Sequence, residues 1–88
     1  MTLYERIKNA IKKVERLQEK LYEEIPAIKE NSRYVEISVF VKNGYSFSCQ
    51  DVIDILSAIM KEKIVVAFWH YDTDQHITIT CMERDDVD

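Results

Sequence analysis

Residues 69–76 read Trp-His-Tyr-Asp-Thr-Asp-Gln-His, so His70, Asp72, Asp74 and His76 recur at every second position. All four are competent metal ligands, and imidazole beside carboxylate is also a common pairing for proton transfer. One continuous strand through 70–76 would align the four side chains on a single face. A turn accounts for the same letters, because Asp72 and Asp74 are turn formers whose side chains bond nearby backbone amides. The flanking segments Ile64–His70 and His76–Met82 decide between these, since each needs a partner strand.

Pairing Tyr71 with His76 sets Phe68 opposite Ile79 and Val66 opposite Cys81, which gives one coherent apolar face. In that register His70 faces Ile77 and points inward, while His76 points outward. Only His76, Asp72 and Asp74 are then left to converge, too weak a set for the three or four ligands of a zinc site. The stretch also lacks the central glycine and downstream glutamate of a calcium-binding EF-hand loop. A turn without a metal is therefore expected, and a metal- or small-molecule-binding loop at His70, Asp72, Asp74 and His76 is the rival.

Other chemistry is thinly represented. Gly44 is the only glycine, so no glycine-rich phosphate loop exists. Ser46, Ser48 and Cys49 have no nucleophile-elbow context, and a Cys49–His70 pairing across the sheet is outweighed by reading both as core residues. Asp51 and Asp54 can be drawn as a carboxylate pair, yet near a helix N-terminus they serve the dipole from a solvated face. The chain reads as non-enzymatic and without a cofactor.

The elements that hold these residues follow from patterning. Thr2-Leu3-Tyr4-Glu5 is a capping box, and Leu3, Ile7, Ala10, Val14, Leu17 and Leu21 continue at a 4-3-4-3-4 spacing. That heptad-like stripe predicts one long helix over about 2–25, ended before Pro26. Tyr4, Ile11 and Ile25 widen the apolar face, which favours packing on a sheet over a coiled coil. The basic stripe Lys8, Lys12, Arg16, Lys20 runs beside Glu15, Glu19 and Glu23, so it reads as a solvated face neutralised by i,i+3 pairs.

Val35, Ile37, Val39 and Val41 alternate with Tyr34, Glu36, Ser38 and Phe40, the period of a half-buried strand. A three-residue loop at Lys42-Asn43-Gly44 would then pair Val41 with Tyr45, Val39 with Phe47 and Ile37 with Cys49, giving a hairpin over 34–49. Ser48-Cys49-Gln50-Asp51 is a second capping-box pattern, opening a helix over 49–63 that buries Val52, Ile55, Leu56 and Ile59. A second hairpin spans 64–82, and the acidic tail 83–88 is expected to fray. The order α-β-β-α-β-β predicts a single α+β domain with a four-stranded, mainly antiparallel sheet.

Charge is unevenly spread: residues 1–43 carry a net +2 and residues 44–88 a net −6. The acidic half argues against direct nucleic-acid binding, which needs a basic footprint. Cys49 and Cys81 are isolated and read as buried small side chains. No apolar run is long enough to span a bilayer and no signal peptide opens the chain, which suggests a cytoplasmic protein.

The second face of the sheet is the more informative feature. In the register above it carries Tyr34, Phe40, Val65, Ala67, Trp69, Tyr71, His76, Thr78, Thr80 and Met82. If both helices cover the Val/Ile face, this one is left uncovered and marks a binding surface, since aromatics are the usual anchors of interfaces; one helix on each face would instead make these ordinary core residues. The expectation is a protein-binding module, an inhibitor or adaptor and a homodimer, that occupies a partner with a basic surface. Its contact residues would be Phe40, Val65, Trp69, Tyr71, Asp72, Asp74, His76, Met82, Glu83, Asp85 and Asp86. Small, acidic, single-domain and motif-free is also the profile of phage or mobile-element proteins that inhibit host defences. A self-assembling structural subunit is the remaining alternative.

Overall fold

The computed structural model describes residues 1–84, so Asp85 and Asp86 of the expected contact set lie outside the described residues. Helix α1 (Leu3–Lys12) is followed by a 3-10 turn at Glu15–Leu17, strands β1 (Ala27–Glu30) and β2 (Tyr34–Phe40), helix α2 (Cys49–Lys61), and strands β3 (Ile64–Thr73) and β4 (His76–Glu83). The sheet order is β1-β2-β4-β3, with every neighbouring pair antiparallel. This is the expected α+β order, reached through different residues in its first half. Among the described residues no helix is long and apolar enough to cross a membrane.

Both capping boxes form. Thr2 Oγ1 accepts from the Glu5 amide at 3.1 Å while the Glu5 carboxylate accepts from the Thr2 amide at 3.0 Å. Ser48 and Asp51 make the same reciprocal pair at 3.1 and 2.9 Å. Each box satisfies amides that a helix start leaves without an intrahelical acceptor.

The long helix over 2–25 does not form: α1 ends at Lys12. The Gln18 side-chain amide donates to the Ile11 and Val14 carbonyls, at 3.0 and 2.9 Å, and satisfies the groups that the break exposes. Bending the chain there lets Leu17, Leu21 and Ile25 enter the same core as Ile7 and Ile11, whereas a straight helix would carry them past it. Leu21 also bridges to Val41, which brings the segment alongside the end of β2.

The hairpin over 34–49 is also replaced. Gly44 does turn the chain with φ +91°, a left-handed conformation that suits glycine, and the Tyr45 amide donates to the Lys42 carbonyl at 3.1 Å. The returning segment then leaves β2. Phe47 is buried and its amide donates to the Asp74 carbonyl at 2.7 Å, tying the segment to the tip of the last hairpin. β4 takes the place beside β2 and sets Ile77, Ile79 and Cys81 against Val39, Ile37 and Val35. This run of buried, mostly β-branched pairs fills the inner face better than Tyr45, Phe47 and Cys49 can, and it frees Ser48 to cap α2.

All six of those inner-face side chains are fully buried under α1 and α2, which pack against each other on one side of the sheet. Asp51 lies in the same interior with its side chain only 2% exposed, so it is not part of a solvated helix face. Arg16 Nη1 reaches its Oδ1 at 2.9 Å, Lys20 Nζ bonds its Oδ2, and Arg16 also grips Asp54 at 2.5 Å. The expected solvated stripe is thus interrupted at Arg16 and Lys20, which clamp the start of α2. Burial works against the Asp51 anion, but the bonds from Lys20, Ser48 and Arg16 outweigh it and hold the carboxyl far below its ordinary range. Cys81 is buried, its thiol pushed up to about 12 by burial, while Cys49 is exposed at the first turn of α2.

Candidate functional site: the bare face of the sheet

Two irregularities in β3 decide what the other face of the sheet carries. β3 keeps the expected pair Val66–Cys81, but the ladder then slips by one residue at Ala67, so that Phe68 faces Thr80, Trp69 faces Ile79 and His70 faces Thr78. A second slip at Asp72 follows Tyr71–Ile77 and precedes Thr73–His76, leaving a two-residue turn at Asp74-Gln75. Such β-bulges put two residues opposite one and reverse the facing of everything beyond.

The consequence corrects the expected contact set. Trp69 turns inward and packs against the core, with Tyr71 on the same side in a T-shaped contact at 5.3 Å. Tyr71 remains 44% exposed near the hairpin tip, but on the helix side of the sheet. Glu83 also faces that side, its carboxylate bound to Arg6 at 2.7 Å. Asp74 sits exposed in the turn. Phe40, Val65, His76 and Met82 stand on the bare face as expected, joined by Phe68 and His70, which the unbulged register had pointed inward. Nothing in the run Ile64–Trp69 advertises a bulge at Ala67, and the available clue was that only a slipped ladder sets Trp69 beside Ile79.

Among the described residues no helix covers this face. Val65, Phe68 and Met82 are 42, 58 and 43% exposed, although Val65 and Met82 are a direct cross-strand pair. Phe40 stacks on His76 with ring centroids 4.1 Å apart, and Phe68 lies 5.3 Å from the His70 ring. Between these aromatic pairs lies Asp72. Its carboxylate accepts from the Thr78 hydroxyl through Oδ2 and from His70 Nε2 through Oδ1, the latter at 3.0 Å. An ionised carboxylate only accepts, so this nitrogen of His70 carries a proton. His76 Nε2 lies 3.4 Å from Asp72 Oδ2, within ion-pair reach, yet its angle gives no hydrogen bond and no described group supplies another.

The bond from Thr78, reinforced by His70, holds the Asp72 carboxyl below its ordinary range against the opposing effect of desolvation. The two histidines therefore do not lie on opposite faces of the hairpin. Both address one carboxylate on the bare face.

Among the described residues no group of three or more His, Cys, Asp or Glu side chains is arranged to hold a metal ion. The Thr78 hydroxyl in the cluster is committed to Asp72. A concavity of about 320 Å³ between α1 and α2 is lined by residues such as Lys13, Asp54, Ser57 and Glu62, on the helix side of the molecule. What the bare face offers is apolar area beside a hydrogen-bonded polar cluster. No protein-family model, curated protein or solved structure matches the chain.

Proposed function

We propose that the protein is a non-enzymatic binding module, an inhibitor or adaptor, that docks another protein on the bare face of its sheet. The observation carrying this reading is that both helices lie on one side, leaving Val65, Phe68 and Met82 each more than 40% exposed in a contiguous patch on the other. Contiguous apolar surface of this kind costs solubility and is retained where a partner covers it. Beside the patch, toward the hairpin tip, lies a polar cluster in which Asp72 is hydrogen-bonded by Thr78 and His70, the kind of fixed polar group that accompanies apolar area in an interface. With Asp72 ionised and Glu36 on the same face, a partner with cationic groups around an apolar centre is the best fit.

Capture from lysate of the native host tests this when it is paired with variants. One stoichiometric partner should be retained by the wild type and by Ile53→Asp, which alters an exposed residue of α2, and be lost with Phe68→Asp and Met82→Asp. A partner lost with Ile53→Asp but kept by the two sheet variants would move the working surface to the helices and end this reading.

A second reading, self-assembly, is favoured by the edge position of β3. Its outer side leaves a ten-residue strand without a neighbour, and its first six residues carry no charge to deter pairing. Sedimentation equilibrium separates the two: a dimer that Phe68→Asp dissociates makes a second copy the occupant.

A further inference from the structure

The chain contains two histidines, and both are in the cluster on the bare face. Histidine is the side chain whose ordinary titration falls between pH 5 and 8. The two imidazoles therefore meet at one spot on one surface. That spot is Asp72, held between His70 Nε2 at 3.0 Å and His76 Nε2 at 3.4 Å, with Phe40 and Phe68 against the two imidazoles.

With both rings neutral the cluster carries −1, from Asp72. With both protonated it carries +1. The other charged or titratable groups facing the same way are Tyr34 and Glu36 from β2 and Lys29 from β1, which stands opposite Glu36; Asp74 lies in the adjoining turn. Among the described residues no helix lies over the cluster to supply another group.

We propose that His70, Asp72 and His76 form a proton-operated charge switch on the docking face. At neutral pH the face accepts a cationic, apolar partner surface, and in mild acid it releases that surface and favours an anionic one. This rests on the reading of the bare face as the working surface. The bulge at Ala67 is what builds the switch, because without it His70 would point away from His76. His76 Nε2, buried and without a hydrogen bond, already stands at ion-pair distance from the carboxylate, so protonation there adds a charge-assisted partner without moving a strand.

Two probes of opposite charge test it: the anionic apolar dye anilinonaphthalene sulfonate and an alternating lysine–leucine heptapeptide, each titrated at pH 8 and pH 5.5 in low salt. Near-ultraviolet circular dichroism of Trp69 checks that the native packing persists at both. A reversal from −1 to +1 a few ångströms from a bound charge predicts that the dye tightens by about tenfold in acid and the peptide weakens by a similar factor. The double variant His70→Gln/His76→Gln should bind both probes with nearly the same affinity at the two pH values, and Phe68→Ser should lose both probes throughout.

If the double variant keeps the wild-type pH dependence, or the wild type shows none while Phe68→Ser still abolishes binding, the switch is refuted and the docking face stands. If Phe68→Ser binds the probes as the wild type does, the docking face itself fails and the switch falls with it.

Discussion

Asp51 and Asp72 are both carboxylates held below their ordinary pKa by hydrogen bonds, yet they do opposite work. Asp51 is enclosed, and the ligands of its carboxylate are the permanent cations Arg16 and Lys20 together with the Ser48 amide. Asp72 is one-third exposed, and around it stand the Thr78 hydroxyl, the His70 ring and, at ion-pair distance without a hydrogen bond, the His76 ring. A carboxylate surrounded by fixed charges fastens structure. One flanked by imidazoles is, in the proposed switch, free to report on its surroundings instead.

The widest separation should come from removing each acid. Asp51→Ala removes the carboxylate half of the capping box of α2 and leaves Arg16 and Lys20 facing an empty anion site, which should cost about 3 kcal/mol in urea unfolding. Asp72→Asn should leave the urea midpoint within error of the wild type. Equal losses in the two variants would erase the distinction.

Acid sharpens the same contrast. The folded-state pKa of Asp51 is depressed, so its contribution to stability is fully present above the unfolded carboxylate value near 4 and drains away as pH falls below it. Thermal midpoints of wild type and Asp51→Asn should therefore differ most at pH 5–7 and converge towards pH 2. A gap that stays constant down to pH 2 would show that the clamp is not ionic.

A smaller effect is expected from deleting Ala67. This exposed residue is the extra one in the β3 ladder, and its removal restores continuous pairing with Trp69 still inside and His70 still outside. The variant should keep the Trp69 near-ultraviolet signal and unfold within about 1 kcal/mol of the wild type. Loss of that signal would mean that Ala67 belongs to the ladder and that the histidines part company. The smallest effect belongs to Phe68→Ser, which should change stability by less than about 0.5 kcal/mol because the side chain is mostly in solvent.

Much of the fold was legible wherever a local rule decided the matter. The reciprocal bonds of Thr2 with Glu5 and of Ser48 with Asp51 were readable from residue spacing, as were the α+β order and the turn at Gly44. The failures share a cause, which is competition between partners distant in sequence. The stripe through Leu17 and Leu21 fits a continuing helix equally well until Gln18 is seen capping it and Asp51 is seen waiting for Arg16 and Lys20. Val39 accepts either Phe47 or Ile77 by pattern, and only the burial of the whole inner face selects Ile77.

The candidate site depended on one residue. Period-two alternation fixes which side chains share a face only while the ladder is unbroken, and Ala67 breaks it without any compositional mark. Phe40, Val65, His76 and Met82 were placed correctly because they lie on β2, on β4 or before the slip. Trp69 and His70 were exchanged because they lie after it.

The strand order also governs when this chain is able to fold. β2 and β4 form the centre of the sheet, and the hydrophobic side of β2 finds its matching strand only after α2 and β3 have been made. A nascent chain emerging from the ribosome carries β2 with only β1 beside it until the last strand follows, so the sheet closes late, through contacts of long sequence separation that set a slow pace for collapse. During that interval the β1–β2 ribbon is the species exposed to aggregation, and the final strand acts as the keystone of biogenesis.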